Sequence, residues 1–171
     1  VGFELWMGNR PGATGYLDES IFPMYNAHEL QSYLSEGEVE YTNGKTQQAL
    51  RYIVAQPKIF LEMSFRRFFR FWTGTGSSNG SIFYVIHAVL TTVFGFLGLA
   101  FLYRRGRRDC VVLFGLPLLL FPLPYYITHA EFRYRLDIDA LLTILAAYGF
   151  NQLASRGNAT GEDSSPEEEV C

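Results

Sequence analysis

Seven of the eleven residues from His129 to Asp139 can ionise, counting tyrosine: His129, Glu131, Arg133, Tyr134, Arg135, Asp137 and Asp139. Arginine suits phosphate because its planar fork donates two hydrogen bonds at once. Tyr125, Tyr126 and Tyr134 are of the type that orients a headgroup or a sugar, and His129 can hydrogen-bond a phosphate or serve as an acid. Arg133 and Arg135 share a face only if the segment is extended; at helical spacing they diverge by about 200°. Two readings stand: a phosphate-binding or donor-binding site built from Arg133, Arg135, Tyr134 and His129, or a hairpin closed by salt bridges among Glu131, Asp137, Asp139 and the arginines.

The elements that must position this stretch are set by the Arg104-Arg105-Gly106-Arg107-Arg108 cluster. It lies between two charge-free apolar runs, Ser81 to Tyr103 and Cys110 to Thr128. A bilayer core takes roughly 20 apolar residues as a helix. Four arginines in so short a loop mark the cytoplasmic side, which puts His129–Asp139 on the opposite face. A third apolar stretch returns the chain inward, with Arg156 at its cytoplasmic end. The predicted class is therefore all-α and integral to the membrane. It has three transmembrane helices, about 81–103, 110–128 and 137–153, within a region spanning 81–154. Pro117, Pro122 and Pro124 predict a kink or break in the second.

Residues 1–80 mix charges of both signs with aromatics and read as a small extracytoplasmic α-helical region. Gly8 to Gly15 is loop chemistry, with three glycines and a proline. Phe3 and Trp6 fit either an interfacial position or an ordinary packed one. Asn43-Gly44 marks a turn or a weak point within a longer helix. Pro57 suits the first turn of a new helix, because its missing N–H has no partner there anyway. From Pro57 to Trp72, Phe60, Leu61, Phe65, Phe68 and Phe69 alternate with Arg66, Arg67 and Arg70. This is the pattern of an amphipathic helix in the headgroup layer, with Arg66, Arg67, Arg70 and Trp72 as the interfacial residues. The alternative is a helix packed on the protein's own domain with its arginines facing water. Residues 73–81 are Gly/Ser-rich and read as a flexible link. His87, inside the first membrane helix, either serves a function or hydrogen-bonds a neighbour. Residues 155–171 are polar and acidic and predict a disordered cytoplasmic tail.

The net charge of −3 gives no reason to expect nucleic-acid binding. Cys110 and Cys171 fall on the reducing side, where a disulfide is disfavoured. No metal-ligand spacing is present, no cofactor motif stands out, and membrane lipids are the expected partners. The chain opens on Val1 with no signal peptide, so it reads as the C-terminal piece of a longer protein whose earlier helices carry residues 1–80 outside.

Three stretches resemble the C-terminal region of bacterial membrane glycosyltransferases of the GT-C fold, of the family 39 type akin to protein O-mannosyltransferases and the aminoarabinose transferase of lipid A. They are Glu4 through Ala13; Ala49-Leu50-Arg51-Tyr52-Ile53 with Pro57 through Gly74; and His129 through Leu142. The resemblance implies an inner-membrane, multi-pass enzyme that moves a sugar from a polyprenyl-phosphate donor to an acceptor outside the cytoplasm. In such families the catalytic carboxylate lies in the first external loop, so none of the present residues is assigned as catalytic. Arg133 and Arg135 would then meet the charge that develops on the departing lipid phosphate. Relatives read Arg-Tyr-Arg followed by Leu-Pro-Ile-Asp; here Asp137 takes the place of that proline. The competing functions are a non-catalytic membrane scaffold or assembly partner and, with less support in the residues, a transporter fragment lined by the proline-broken helix.

Overall fold

The computed structural model describes residues 2–75 and 81–162, and among these there is no strand. The architecture is an all-α bundle. Helices α1 (Gly2–Asn9), α2 (Ala27–Glu36), α3 (Glu38–Ala55) and α4 (Pro57–Thr73) form the first half. Helices α5 (Ile82–Arg104), α6 (Arg108–Leu120), α7 (Leu123–Ile127) and α8 (Phe132–Glu162) form the second. Much of the Gly/Ser-rich link and the end of the acidic tail, at 76–80 and 163–171, lie outside the described residues.

Local chemistry sets most boundaries. The Asn26 side chain accepts hydrogen bonds from the backbone N–H of His28 and Glu29 and so starts α2. Pro57 opens α4, and Gly74, left-handed at φ 68°, closes it with its N–H on the Arg70 carbonyl. A side chain at Gly74 would also strike the Tyr84 ring and Ala88 of α5. Asn43-Gly44 lies inside a continuous α3, so it makes no turn. Ser81 caps α5 through the N–H of Phe83.

The first half packs through aromatics. Phe3 of α1 lies against Trp6, Phe22 and Tyr41, so it is a packed residue. Glu29 of α2 accepts from the Tyr41 hydroxyl at 2.7 Å and from Lys45 Nζ at 2.8 Å, and that ammonium also caps the Trp6 ring at 3.8 Å.

The second half is held mainly by α5 against α8. Gly98 and Gly149 let the two backbones meet: a Cβ on Gly98 would stand 2.1 Å from the Leu145 carbonyl oxygen, and one on Gly149 2.5 Å from that of Phe94. Phe71, Trp72, Leu118, Ile138, Leu142 and Leu145 form the central core and join α4, α6 and α8.

Two segments are long and apolar enough to cross a bilayer, Ile82–Arg104 and Arg108–Ile127. The second is split at Phe121–Pro122 into α6 and α7, where the prolines remove backbone donors. The third expected span differs from its prediction. It belongs to α8, which begins at Phe132 and continues to Glu162, past the point where composition placed a disordered tail. Asp137, Asp139, Asn151 and Gln152 dilute its apolar character, and among the described residues it does not meet the same length-and-composition criterion.

Candidate functional site

The segment from His129 to Asp139 is neither an extended loop nor a hairpin. Only Thr128–Glu131 lies between α7 and α8, and everything from Phe132 onward is helical. Arg133 and Arg135 therefore diverge, as helical spacing requires.

Arg135 turns inward and is wholly buried. Its Nε donates to Asp139 Oδ1 at 2.9 Å, one turn along α8. Nη1 donates to the carbonyls of Trp72 (2.5 Å) and Phe71 (3.4 Å) at the end of α4. Nη2 donates to the Ala88 carbonyl and to Thr91 Oγ1 on α5, both at 2.7 Å. Guanidinium has five N–H donors, and all five are used here. This corrects the expectation that Arg135 meets a phosphate, since no donor is left for one. The second Asp139 oxygen lies 3.4 Å from His87 Nε2, so that histidine has a neighbour within the protein.

Arg67 is wholly buried too. Nη2 donates to the Gly8 carbonyl, and Nη1 reaches Asn9 Oδ1 (3.2 Å) and the carbonyls of Tyr126 and Ile127 (both 3.3 Å). The Asn9 amide completes the knot by donating to Leu5 and Ile127. Burial, with the nearby Arg70 charge, lowers the Arg67 pKa to about 10. Trp72 is buried as well, its Nε1 donating to the Tyr126 hydroxyl at 2.7 Å.

The interfacial reading of Arg67 and Trp72 is thus corrected, because both fasten α4 to α7. Arg66 and Arg70 stay at the surface. Arg66 pairs with Glu62 at 2.7 Å, and Arg70 lies over the Tyr16 ring at 3.8 Å. The exposed face of α4 is largely apolar, with Leu61, Phe65 and Phe69 outward.

Of the four candidate site residues, the structure brings Arg133, Tyr134 and His129 together. Arg133 is exposed and ion-paired with Glu131. With Tyr134 it lines a pocket of about 360 Å³, hereafter the polar pocket, whose other walls mix the carboxylates of Glu4 and Glu19 with the carbon of Leu17, Phe22 and Tyr25. His129 lies buried beside it, with Nε2 2.9 Å from the Tyr134 hydroxyl and Nδ1 3.2 Å from Glu4 Oε2. Burial, then the charges of Arg67 and Arg133, lower the His129 pKa to about 4, so the ring is neutral at pH 7. Burial raises the Glu4 pKa, with Arg133 opposing. Glu4, Glu19 and Tyr25 escaped the sequence reading as site residues, because no periodicity links residue 4 to residue 134.

An apolar groove of about 580 Å³ runs between α4, α5, α6 and α7. Phe68, Trp72, Val93, Phe96, Leu119 and Tyr126 line it. Tyr126 faces this groove, while its neighbour Tyr125 stacks on Tyr134 of the polar pocket with ring centres 4.4 Å apart. Among the described residues no group of three or more His, Cys, Asp or Glu is arranged to hold a metal ion. No family model, curated protein or solved structure matches this chain.

Proposed function

We propose that this chain is the C-terminal part of a bacterial inner-membrane glycosyltransferase that uses a polyprenyl-phosphate-linked sugar on the extracytoplasmic side. In this reading α5, α6–α7 and α8 span the bilayer, with the arginine turn in the cytoplasm. Residues 1–80 lie outside, α4 rests its Leu61–Phe69 face in the headgroup layer, and the catalytic carboxylate sits upstream.

The observation that carries the reading is that one chain holds both an apolar groove lined by Tyr126 and a pocket lined by Arg133 and Tyr134, with Tyr125, next to Tyr126 in the chain, stacked on Tyr134. A carrier lipid has the matching chemistry: a long hydrocarbon chain joined to a phosphate and a sugar. Arg133, the candidate arginine left at the surface, is the natural partner for its phosphate. The two bilayer-length segments support the setting, since only 28% and 11% of their apolar windows are buried within the protein, unlike the core helix of a soluble domain.

The test is binding of undecaprenyl phosphate to the chain in nanodiscs, with undecaprenol and inorganic phosphate as comparators. Saturable binding that Val93→Trp weakens through the groove and Arg133→Gln weakens through the pocket supports the reading. Equal retention of all three compounds, or none, overturns it. The second reading, a non-catalytic scaffold, draws on Arg67 and Arg135, whose donors go to joining helices.

A further inference from the structure

We propose that Glu4, His129 and Tyr134 form a proton relay whose outer end, the Tyr134 hydroxyl, acts as a general base on a hydroxyl-bearing ligand in the polar pocket. The three groups stand in series, Glu4 Oε2 to His129 Nδ1 at 3.2 Å and His129 Nε2 to the Tyr134 hydroxyl at 2.9 Å. Both ends of the series, Glu4 and Tyr134, line the pocket, while the imidazole between them is buried.

His129 Nδ1 and Glu4 Oε2 are each cut off from solvent and have no well-aligned hydrogen-bond partner. Buried polar atoms are rarely left without a partner, so two that face each other across 3.2 Å call for an explanation, and a proton carried between them supplies one. Catalytic hydrogen bonds are commonly this loose before a ligand tightens them. The imidazole cannot swing away, because its ring is buried and set edge-on to Tyr134.

A neutral imidazole fits the middle of this chain. It accepts the tyrosine O–H at Nε2 while holding its own proton at Nδ1 toward the carboxylate. In the step, the ligand O–H bond breaks and its proton passes to the Tyr134 oxygen. The Tyr134 proton moves to Nε2, and the Nδ1 proton moves to Glu4. The electron pair stays on the ligand oxygen, which becomes the nucleophile. The imidazole is neutral before and after, and Glu4 gains the proton. Glu19 adds a hydroxyl acceptor to the pocket, and Phe22 and Tyr25 add rings for C–H faces. These walls suit a polyhydroxylated ligand. Only that ligand identity, the hydroxyl-bearing acceptor of the transferase reading beside the donor phosphate on Arg133, rests on that reading; the relay itself rests on the geometry.

The test is acetylation of Tyr134 by N-acetylimidazole on the chain in nanodiscs, read by peptide mass spectrometry with the exposed Tyr103 as internal reference. A working relay removes the phenol proton as the oxygen attacks. Tyr134 should then react at least about tenfold faster in the parent chain than in Glu4→Gln, with Tyr103 unchanged. The rate should also fall off in acid as the imidazole protonates, and His129→Gln should abolish that inflection. Equal Tyr134 rates in the parent and a folded Glu4→Gln, or no labelling of Tyr134, overturn the relay. Nitrogen-15 NMR of the parent chain's histidines decides the matter even if the variants do not fold. The relay requires the Nδ1–H tautomer of His129 at neutral pH, and the Nε2–H tautomer rules it out. None of these readouts depends on undecaprenyl phosphate binding, so the two proposals fail separately.

Discussion

Arg135 and Asp139 stand one turn apart on α8, bonded Nε to Oδ1 at 2.9 Å, with the guanidinium closed off from solvent. The pair sits where the end of α4 meets the first half of α5, and its remaining donors go to carbonyls on both, which also accept from the Thr92 hydroxyl. Cutting one partner out of such a buried pair leaves the other's charge uncompensated, a loss of about 3–5 kcal/mol. Arg135→Ala and Asp139→Ala should each unfold the chain at markedly lower temperature in detergent melts. Arg135→Lys should not rescue, because three donors cannot replace five. An Arg135→Ala protein with parental stability would show that the clamp is not what holds these helices.

Two glycines with opposite surroundings give an internal control. Gly98 faces the Leu145 carbonyl, so Gly98→Ala forces α5 away from α8 and should cost about 1–3 kcal/mol. Gly44 in α3 has open space around it, so Gly44→Ala should be neutral or stabilising by up to about 1 kcal/mol. Paired thermal melts of the two variants check the contrast, and similar shifts in both would refute the close α5–α8 approach.

Acid should weaken the fold through His129. Its folded pKa is lowered to about 4 from an ordinary 6.5. Between those values the unfolded chain binds a proton that the folded chain refuses, so this contribution to stability is complete above pH 6.5 and is lost as pH falls toward 4. Glu4 runs the other way, because its raised pKa relieves a cost as pH falls. Melting temperatures from pH 7 to 4 should fall less steeply in His129→Phe than in the parent. Parallel curves would remove His129 as the cause.

The proposed sidedness is open to labelling. In a background with Cys110→Ser and Cys171→Ser, Met24→Cys on the well-exposed Met24 should react with a membrane-impermeant maleimide in intact cells. Gly106→Cys, in the turn between α5 and α6, should react only after the membrane is opened. Reaction of Gly106→Cys in intact cells would place the polar pocket in the cytoplasm.

The helical segments around 81–128 were legible because charge-free runs and an arginine turn leave few alternatives, and Pro57 and Gly74 mark α4 by backbone chemistry alone. The divergence of Arg133 and Arg135 was legible too, as a conditional on helix. The start of α8 was not: a dense mixture of charges resembles a loop, and its true stabiliser is Arg135, whose partners come from α4 and α5 far back in the chain. Arg67 misled for a related reason. Charged residues on an amphipathic helix are taken to face outward, yet here Leu61, Phe65 and Phe69 do so while Arg67 ties together Gly8, Asn9 and the end of α7. The approach of Glu4 to His129 leaves no local trace, since it depends on how the first helix docks.

The five-donor clamp also orders biogenesis. The carbonyls of Trp72 and Ala88 leave the ribosome well before residue 135, so the α4–α5 corner rests on the Thr92 hydroxyl's bond to the Trp72 carbonyl until α8 brings Arg135. A chain terminated after Ala130 is expected to reach the membrane with that corner unlatched and to be cleared by quality-control proteases, whereas one terminated after Gln152 keeps the latch and should accumulate.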